Sequence, residues 1–241
     1  REPTLGTWVT LAHPAITEIF AKAGFDWLTI DMEHSVIDLF DAENLIRTAD
    51  LAGSLPLVRL PSNDEVIIKR LLDAGAAGII IPQINNEEEL RYAIKATKYA
   101  PEGIRGAGLA RAQSYGRGFN DYKELVDSNL IIIAQIENKN ALENLDSIFS
   151  VPELDAVIIG PYDLSASMGK AGQLDDNEVG EAIENILQKS IDKGISCGIH
   201  IIEPEASQLN ERIEQGFNFI AYSLDIRMLD YLAKEALEKI Q

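Results

Sequence analysis

Residues 22–34, Lys22-Ala23-Gly24-Phe25-Asp26-Trp27-Leu28-Thr29-Ile30-Asp31-Met32-Glu33-His34, contain one full structural cycle. The cycle starts with the end of a helix, because Ala15–Ala23 carries apolar residues at three- and four-residue spacing and Gly24 offers the left-handed conformation that a C-cap needs. A short β-rich run, Trp27–Asp31, follows at once. Past its far end stand Glu33 and His34, polar side chains gathered where a strand leaves a sheet.

The same cycle recurs along the chain. Further β-rich runs are Leu5–Leu11, Leu57–Leu60, Gly78–Pro82, Leu130–Ile136, Ala156–Gly160, Ile195–Ile201 and Phe219–Ser223, which with Trp27–Asp31 makes eight. Helical spacing marks Leu39–Ala52, Asp64–Asp73, Asn86–Tyr99, Ala141–Phe149, Asn177–Lys193, Glu203–Glu214 and Ile226–Ile240. Gly75, Gly194 and Gly216 repeat the capping role of Gly24. Continuously apolar strands suit a parallel sheet covered on both faces. Eight of them alternating with helices predict an α/β chain folded as a (β/α)8 TIM barrel, and no G-x-G-x-x-G follows the first strand to favour an open doubly wound sheet. A length of 241 residues without linker or low-complexity segment fits a single domain over 1–241. The one long interruption, Tyr99 to Asn129, holds the string Gly103-Ile104-Arg105-Gly106-Ala107-Gly108 and reads as a lid or a subunit contact.

Composition narrows the function. With 46% hydrophobic and 25% charged residues and no long apolar stretch, a membrane span is not expected. A net charge of −18 without a Lys/Arg cluster argues against nucleic acid as a partner. Residues 1–6 lack the basic-then-apolar layout of a secretory signal, and the missing Met fits a trimmed start. The single Cys197, inside an apolar run, excludes an intramolecular disulfide and suggests a reducing cytoplasm.

Barrel active sites form at the C-terminal ends of the strands. Reactive side chains collect there: His13, Asp31, Glu33, His34, Arg59, Gln83, Gln135, Glu137, Asp163 and His200. Glu137 and Asp163 leave neighbouring strands, so their carboxylates would converge, and two carboxylates with open positions suit an oxygen-bound ion such as Mg²⁺ or Mn²⁺. Zinc is disfavoured because there is neither an H-x-x-x-H nor a cysteine pair. Asp31, three residues before His34, is close enough to orient that imidazole as a general base; a helix-capping His34 reads equally well. Arg59 within Val58-Arg59-Leu60-Pro61 is a cation in a strand, explained by a bound anion or oxyanion or by an internal salt bridge. His13 and His200 read as pocket wall or structural groups. No lysine lies in or at the end of any of the eight runs, which argues against a Schiff-base mechanism.

Several strings taken together resemble the HpcH/HpaI class II aldolases, whose members include 4-hydroxy-2-oxoheptanedioate aldolase and 2-dehydro-3-deoxyglucarate aldolase. They are Ala23–Leu28 with Ile30–His34, Val58–Pro61, Arg105-Gly106, Gln135–Glu137 and Ile159–Ser165, in order over nearly the whole chain. The resemblance implies a barrel of the phosphoenolpyruvate/pyruvate type, a homohexamer with C-terminal helices exchanged between subunits, and cleavage of a 4-hydroxy-2-oxo acid to pyruvate and an aldehyde. It implies a divalent metal, Mg²⁺ or Mn²⁺ with Co²⁺ also admissible, on Glu137 and Asp163. It further implies His34 with Asp31 as acid–base group, Arg59 on the keto or enolate oxygen, and Gln135 beside the pyruvate. The Gly160-Pro161-Tyr162-Asp163 turn would take the substrate carboxylate on the N–H groups of Tyr162 and Asp163. Met32 and Tyr162 stand where smaller residues are usual, and His200, which would border the substrate, where the heptanedioate enzyme is apolar. The pyruvate half is thus retained and the acceptor half open. Rival readings are a malyl- or citramalyl-CoA-lyase-like enzyme and a non-catalytic 2-oxo-acid-binding protein.

Overall fold

The structure is a computed structural model that describes residues 2–238. In chain order it runs β1 (Thr4–Val9), α1 (Pro14–Ala23), β2 (Trp27–Asp31), α2 (Leu39–Ala52), β3 (Leu55–Arg59), α3 (Glu65–Ala74), β4 (Gly78–Ile81) and α4 (Glu87–Thr97). It continues with α5 (Phe119–Asn129), β5 (Ile131–Ile136), α6 (Lys139–Leu142), α7 (Leu145–Ile148), β6 (Ala156–Ile159) and α8 (Pro161–Ser167). The last elements are α9 (Asn177–Lys193), β7 (Ser196–Ile201), α10 (Ala206–Gln215), β8 (Phe219–Leu224) and α11 (Asp225–Glu238). All eight strands are parallel neighbours in sequence order, and β8 closes onto β1. The expected TIM barrel is therefore the fold. The expected last helix reached Ile240, and its final residues lie outside the described ones.

Alternation along the strands sorts their side chains into two cores. Leu28, Ile30, Val58, Ile79, Ile81, Ala134, Val157 and Ile159 pack with helix residues such as Leu45, Ile46, Ile68 and Leu71. Trp8, Trp27, Leu57, Ile80, Ile133, Ile158 and Phe219 form a second cluster that contains no helix residue, so they fill the barrel interior. At the N-terminal end of the barrel Trp27 and Phe219 stack with ring centroids 4.3 Å apart. Glycine at two inward positions makes room for them: a Cβ on Gly6 would lie 2.0 Å from the Trp27 ring, and one on Gly198 2.6 Å from Phe219 Cδ1.

Two expectations change in detail. The single helix read over Ala141–Phe149 is two short ones, α6 and α7, and the residues after β6 form α8, a helix the periodicity had left out. The long interruption before β5 holds a 3-10 turn, Arg111–Gln113, and α5. It is anchored at the bottom of the barrel, where the helices end. Arg105, buried, reaches Asp73 at 2.7 Å and the Tyr122 hydroxyl at 3.1 Å, and that hydroxyl donates to the Leu72 carbonyl at 2.9 Å. Arg111 donates to the Ala74 carbonyl at 3.2 Å and pairs with Asp50. A segment seated on the ends of α2 and α3 is on the face opposite the C-terminal strand ends, so it is not a lid over its own site.

The aromatic plug predicts that Gly6→Ala, which drives a methyl into a ring held by its stacking partner, destabilises the fold by about 3 kcal/mol. Gly24→Ala, at a left-handed cap with open space around it, should lose only about 1 kcal/mol. Urea unfolding midpoints compare them, and equal losses at the two positions would refute the plug.

Candidate active site

The strand alternation that turns Trp27 and Phe219 inward also turns Asp31, Arg59, Gln135 and His200 inward, at the other end. There they line a cavity of about 240 Å³ together with Trp8, Thr10, His34, Ile158, Tyr162 and Asp163. No lysine lines it among the described residues. A larger space, about 830 Å³, lies outside β7 between α9 and α10 and shares Pro161, Tyr162 and His200 with the first. The convergent acids and the arginine belong to the smaller one.

Arg59 occupies the cavity wall as an ion pair. Its Nε and Nη2 donate to Asp31 at 2.9 and 2.6 Å, and its guanidinium carbon lies 4.2 Å from the Trp8 ring centroid. Asp31, itself buried, also accepts the backbone N–H groups of Glu33 (3.0 Å) and His34 (3.2 Å). Asp31 thus orients Arg59 and the chain at His34, while the expected side-chain contact between Asp31 and the His34 ring is not made. The imidazole stands at the rim, 61% exposed, with Nε2 3.9 Å from Glu33 Oε2.

Glu33 is the site residue whose surroundings the sequence did not reveal. Its Oε2 is buried without a hydrogen-bond partner, 3.5 Å from Arg59 Nε. Burial pushes its carboxyl up to about 7 against the opposing pull of Arg59, with the charges of Glu137, Asp31 and Asp163 adding to the rise. Its position two residues past Asp31 had marked it as a strand-end acid, but nothing in the string says how deeply it sits.

Glu137 is 1% exposed. Its Oε1 accepts the Gln83 N–H at 2.8 Å and its Oε2 the Gln135 amide. Gln83 presents that N–H from a left-handed conformation, φ 54°. Burial raises the Glu137 carboxyl above the usual range, and the negative charge of Asp163 adds to this. Gly160 is part of the same arrangement, because a Cβ there would meet Glu137 Oε2 at 2.9 Å. Asp163 sits in the first turn of α8, where the N–H groups of Tyr162 and Asp163 have no intrahelical acceptor and Pro161 takes the first position.

This donor set fits a hard divalent ion. Among the described residues no group of three His, Cys, Asp or Glu side chains converges as a closed metal cage. Two carboxylates leave the remaining positions to substrate oxygens and water, as such an ion requires. The orphaned Glu33 oxygen and the Gly160 cradle mark the same acidic space.

The remaining histidines divide. His13 caps α1, its Nδ1 accepting the Ala15 N–H at 3.2 Å. His200 lies in the barrel mouth, 5.5 Å from Trp8 between ring centroids, with Nε2 3.1 Å from the Ser223 carbonyl. Burial pushes its pKa down to about 4, so at neutral pH it is uncharged. The Cys197 thiol is pushed up to about 12 by burial and offers no thiolate.

A parallel barrel whose C-terminal strand ends gather an arginine, buried acids and free backbone donors belongs to the barrel enzymes. The HpcH/HpaI aldolase/citrate lyase profile matches residues 4–230. The chain is 36% identical over 236 residues to the hydroxypyruvate/pyruvate aldolase of Roseovarius nubinhibens, covering 98% of this chain and 91% of that protein. It is 36% identical over 223 residues to the 5-keto-4-deoxy-D-glucarate aldolase of Citrobacter koseri, covering 92% and 86%. A crystal structure of an HpcH/HpaI aldolase/citrate lyase family protein from Burkholderia cenocepacia superposes with a TM-score of 0.94 at 31% identity, covering 99% of this chain and 95% of that one. The chain belongs to the HpcH/HpaI aldolase/citrate lyase family, and with it to the carbon–carbon lyases.

The raised Glu33 carboxyl has a consequence for stability. The unfolded chain releases that proton near 4.5 and the folded one holds it to about 7, so the metal-free protein loses stability as pH rises between those values. Glu33→Gln removes the loss. Metal-free E33Q should melt above wild type at pH 8 and level with it at pH 4; a gap independent of pH would contradict the assignment.

Proposed function

We propose that this chain catalyses the reversible retro-aldol cleavage of a 4-hydroxy-2-oxo acid to pyruvate, or a close 2-oxo acid, and an aldehyde. The observation that carries this reading is one small cavity lined by Asp163 and a fixed Arg59, with no lysine among its described lining residues, and beside it the buried Glu137 carboxyl, which feels the charges of both. The names of the aldolase relatives support it.

Glu137 and Asp163 would hold a divalent ion, Mg²⁺ or Mn²⁺ with Co²⁺ as a further candidate, whose chemistry when bound is Lewis-acid polarisation of the keto oxygen. Arg59 uses Nε and Nη2 on Asp31, which leaves Nη1 without a hydrogen bond and available to the negative charge that develops on that oxygen. Being pinned between Asp31 and the face of Trp8, the guanidinium needs no reorganisation as the charge appears. The free N–H groups of Tyr162 and Asp163, beside Gly160 and Pro161, suit the substrate carboxylate, with Gln135 along its flank. His34, reachable from solvent at the rim, is the group that takes the proton of the 4-hydroxyl in cleavage, directly or through water.

Assembly belongs to the same reading. Along α11, Ile226, Leu229, Leu232 and Leu237 are exposed, an apolar stripe that supports burial against other copies of the chain. This is what the homohexamer with exchanged C-terminal helices implied by the family resemblance would provide. The single buried Cys197 accords with a cytoplasmic setting, and among the described residues no helix is long and apolar enough to cross a membrane.

The test is hydrogen exchange at the methyl group of pyruvate in deuterated water. Chelator-treated protein should leave the methyl signal intact, and added Mg²⁺ or Mn²⁺ should make it decay; no exchange with any divalent ion would refute enolate formation. Arg59→Ala should slow that exchange by about 10²-fold, the effect of losing one oxyanion donor. An unchanged rate would remove Arg59 from the chemistry.

A further inference from the structure

The cavity has two chemically distinct arcs. Strands β2, β3, β5 and β6 contribute the charged and polar wall: Asp31, Arg59, Gln135 and the Gly160–Asp163 turn. The arc from β7 through β8 to β1 is lined by Trp8, Thr10, His200, Leu224 and Ile226. If the 2-oxo acid occupies the first arc, the second is left for the aldehyde. That arc is mostly apolar, and the proton of the Thr10 hydroxyl is already given to Asp225 at 2.5 Å.

His200 is the exception, and its hydrogen-bonding state can be deduced. The Ser223 carbonyl can only accept, so the 3.1 Å contact fixes the proton on Nε2. A neutral ring with its proton on Nε2 has a bare lone pair on Nδ1, and Nδ1 makes no hydrogen bond in the structure. Contact with Trp8 at 5.5 Å holds the ring in place. A half-buried, uncharged group of this kind cannot draw an anion, and it does not shed or gain a proton near neutral pH. It can take a hydrogen from a hydroxyl.

We propose that His200 selects a hydroxylated aldehyde, with Nδ1 accepting the hydrogen of the hydroxyl on the carbon next to the aldehyde. The proposal rests on the aldolase reading above and names the acceptor class for it. The preferred acceptors are α-hydroxyaldehydes, because an aldehyde without that hydroxyl strands the Nδ1 lone pair against an apolar wall. Specificity then comes from a fixed tautomer instead of a charge. The ring acts on binding and orientation and takes no part in moving the reaction's protons.

The experiment measures kcat/KM in the aldol direction with pyruvate and two acceptors of equal heavy-atom count, glycolaldehyde and propanal, alongside methyl exchange on pyruvate alone. Wild type should prefer glycolaldehyde by roughly tenfold or more, with the ratio level between pH 6 and 8. His200→Gln, which can keep the Ser223 tether but has no acceptor at the Nδ1 position, should abolish most of the preference. His200→Asn, which places an amide oxygen near that position, should retain part of it. Methyl exchange should remain measurable in both variants, so that a lost preference is read against a working enolate half. Exchange intact with the same acceptor ratio in wild type and His200→Gln overturns the role of His200. A ratio that follows a titration near the ordinary histidine value overturns the neutral-acceptor mechanism. Absence of exchange in the wild type defeats the aldolase reading and this proposal together.

Discussion

A guanidinium inside a barrel needs an anion, and the pairing of Arg59 with Asp31 is the contact around which the site is arranged. Four acids surround this one cation: Asp31, Glu33, Glu137 and Asp163. Asp31 takes the positive charge. Glu33, half-buried beside them, holds a proton up to about pH 7, and Glu137 is raised in the same direction. The site thus carries more carboxylate than its own cation can balance, since Arg59 is already paired with Asp31. A second source of positive charge is therefore favoured on electrostatic grounds, apart from any likeness to other proteins.

The barrel was legible because its evidence repeats. Each strand is a short apolar run after a helix, several helices close on a glycine, and eight such units leave little choice of architecture. The polar strand ends were legible for the same reason, since position along a strand says which end of the barrel a residue reaches. What the string did not contain was depth and partner choice. Asp31 and His34 are three residues apart, yet the carboxylate turns inward with its strand to meet Arg59 while the imidazole leaves with the loop. Gln83 contributes through a backbone N–H, which no residue type announces. Trp8 could have been found, because it stands at an inward position of β1, two residues past Gly6. The short α8 was hidden because seven residues hold too little periodicity to stand out.

The interior of the barrel changes character from one end to the other. At the bottom, glycines admit two stacked aromatic rings and the space is sealed. Toward the top the inward positions become polar, while the helix-facing positions on the same strands stay apolar throughout. The site is thus the upper layer of a packing scheme already set by strand alternation. Asp31, Arg59, Gln135 and His200 need no special loops to face one another, because each is an inward position of its strand.

The staple formed by Arg105, Tyr122, Asp73 and Arg111 ties the ends of α2 and α3 together on the face away from the chemistry. The joints that secure the outer ring and the residues that meet the acceptor are thereby segregated by the full height of the barrel. Exchanges at Trp8, Thr10, His200, Leu224 or Ile226 can reshape what the mouth accepts while leaving those joints untouched. A scaffold partitioned in this way can diversify its diet by drift at one rim, with the other acting as its anchor.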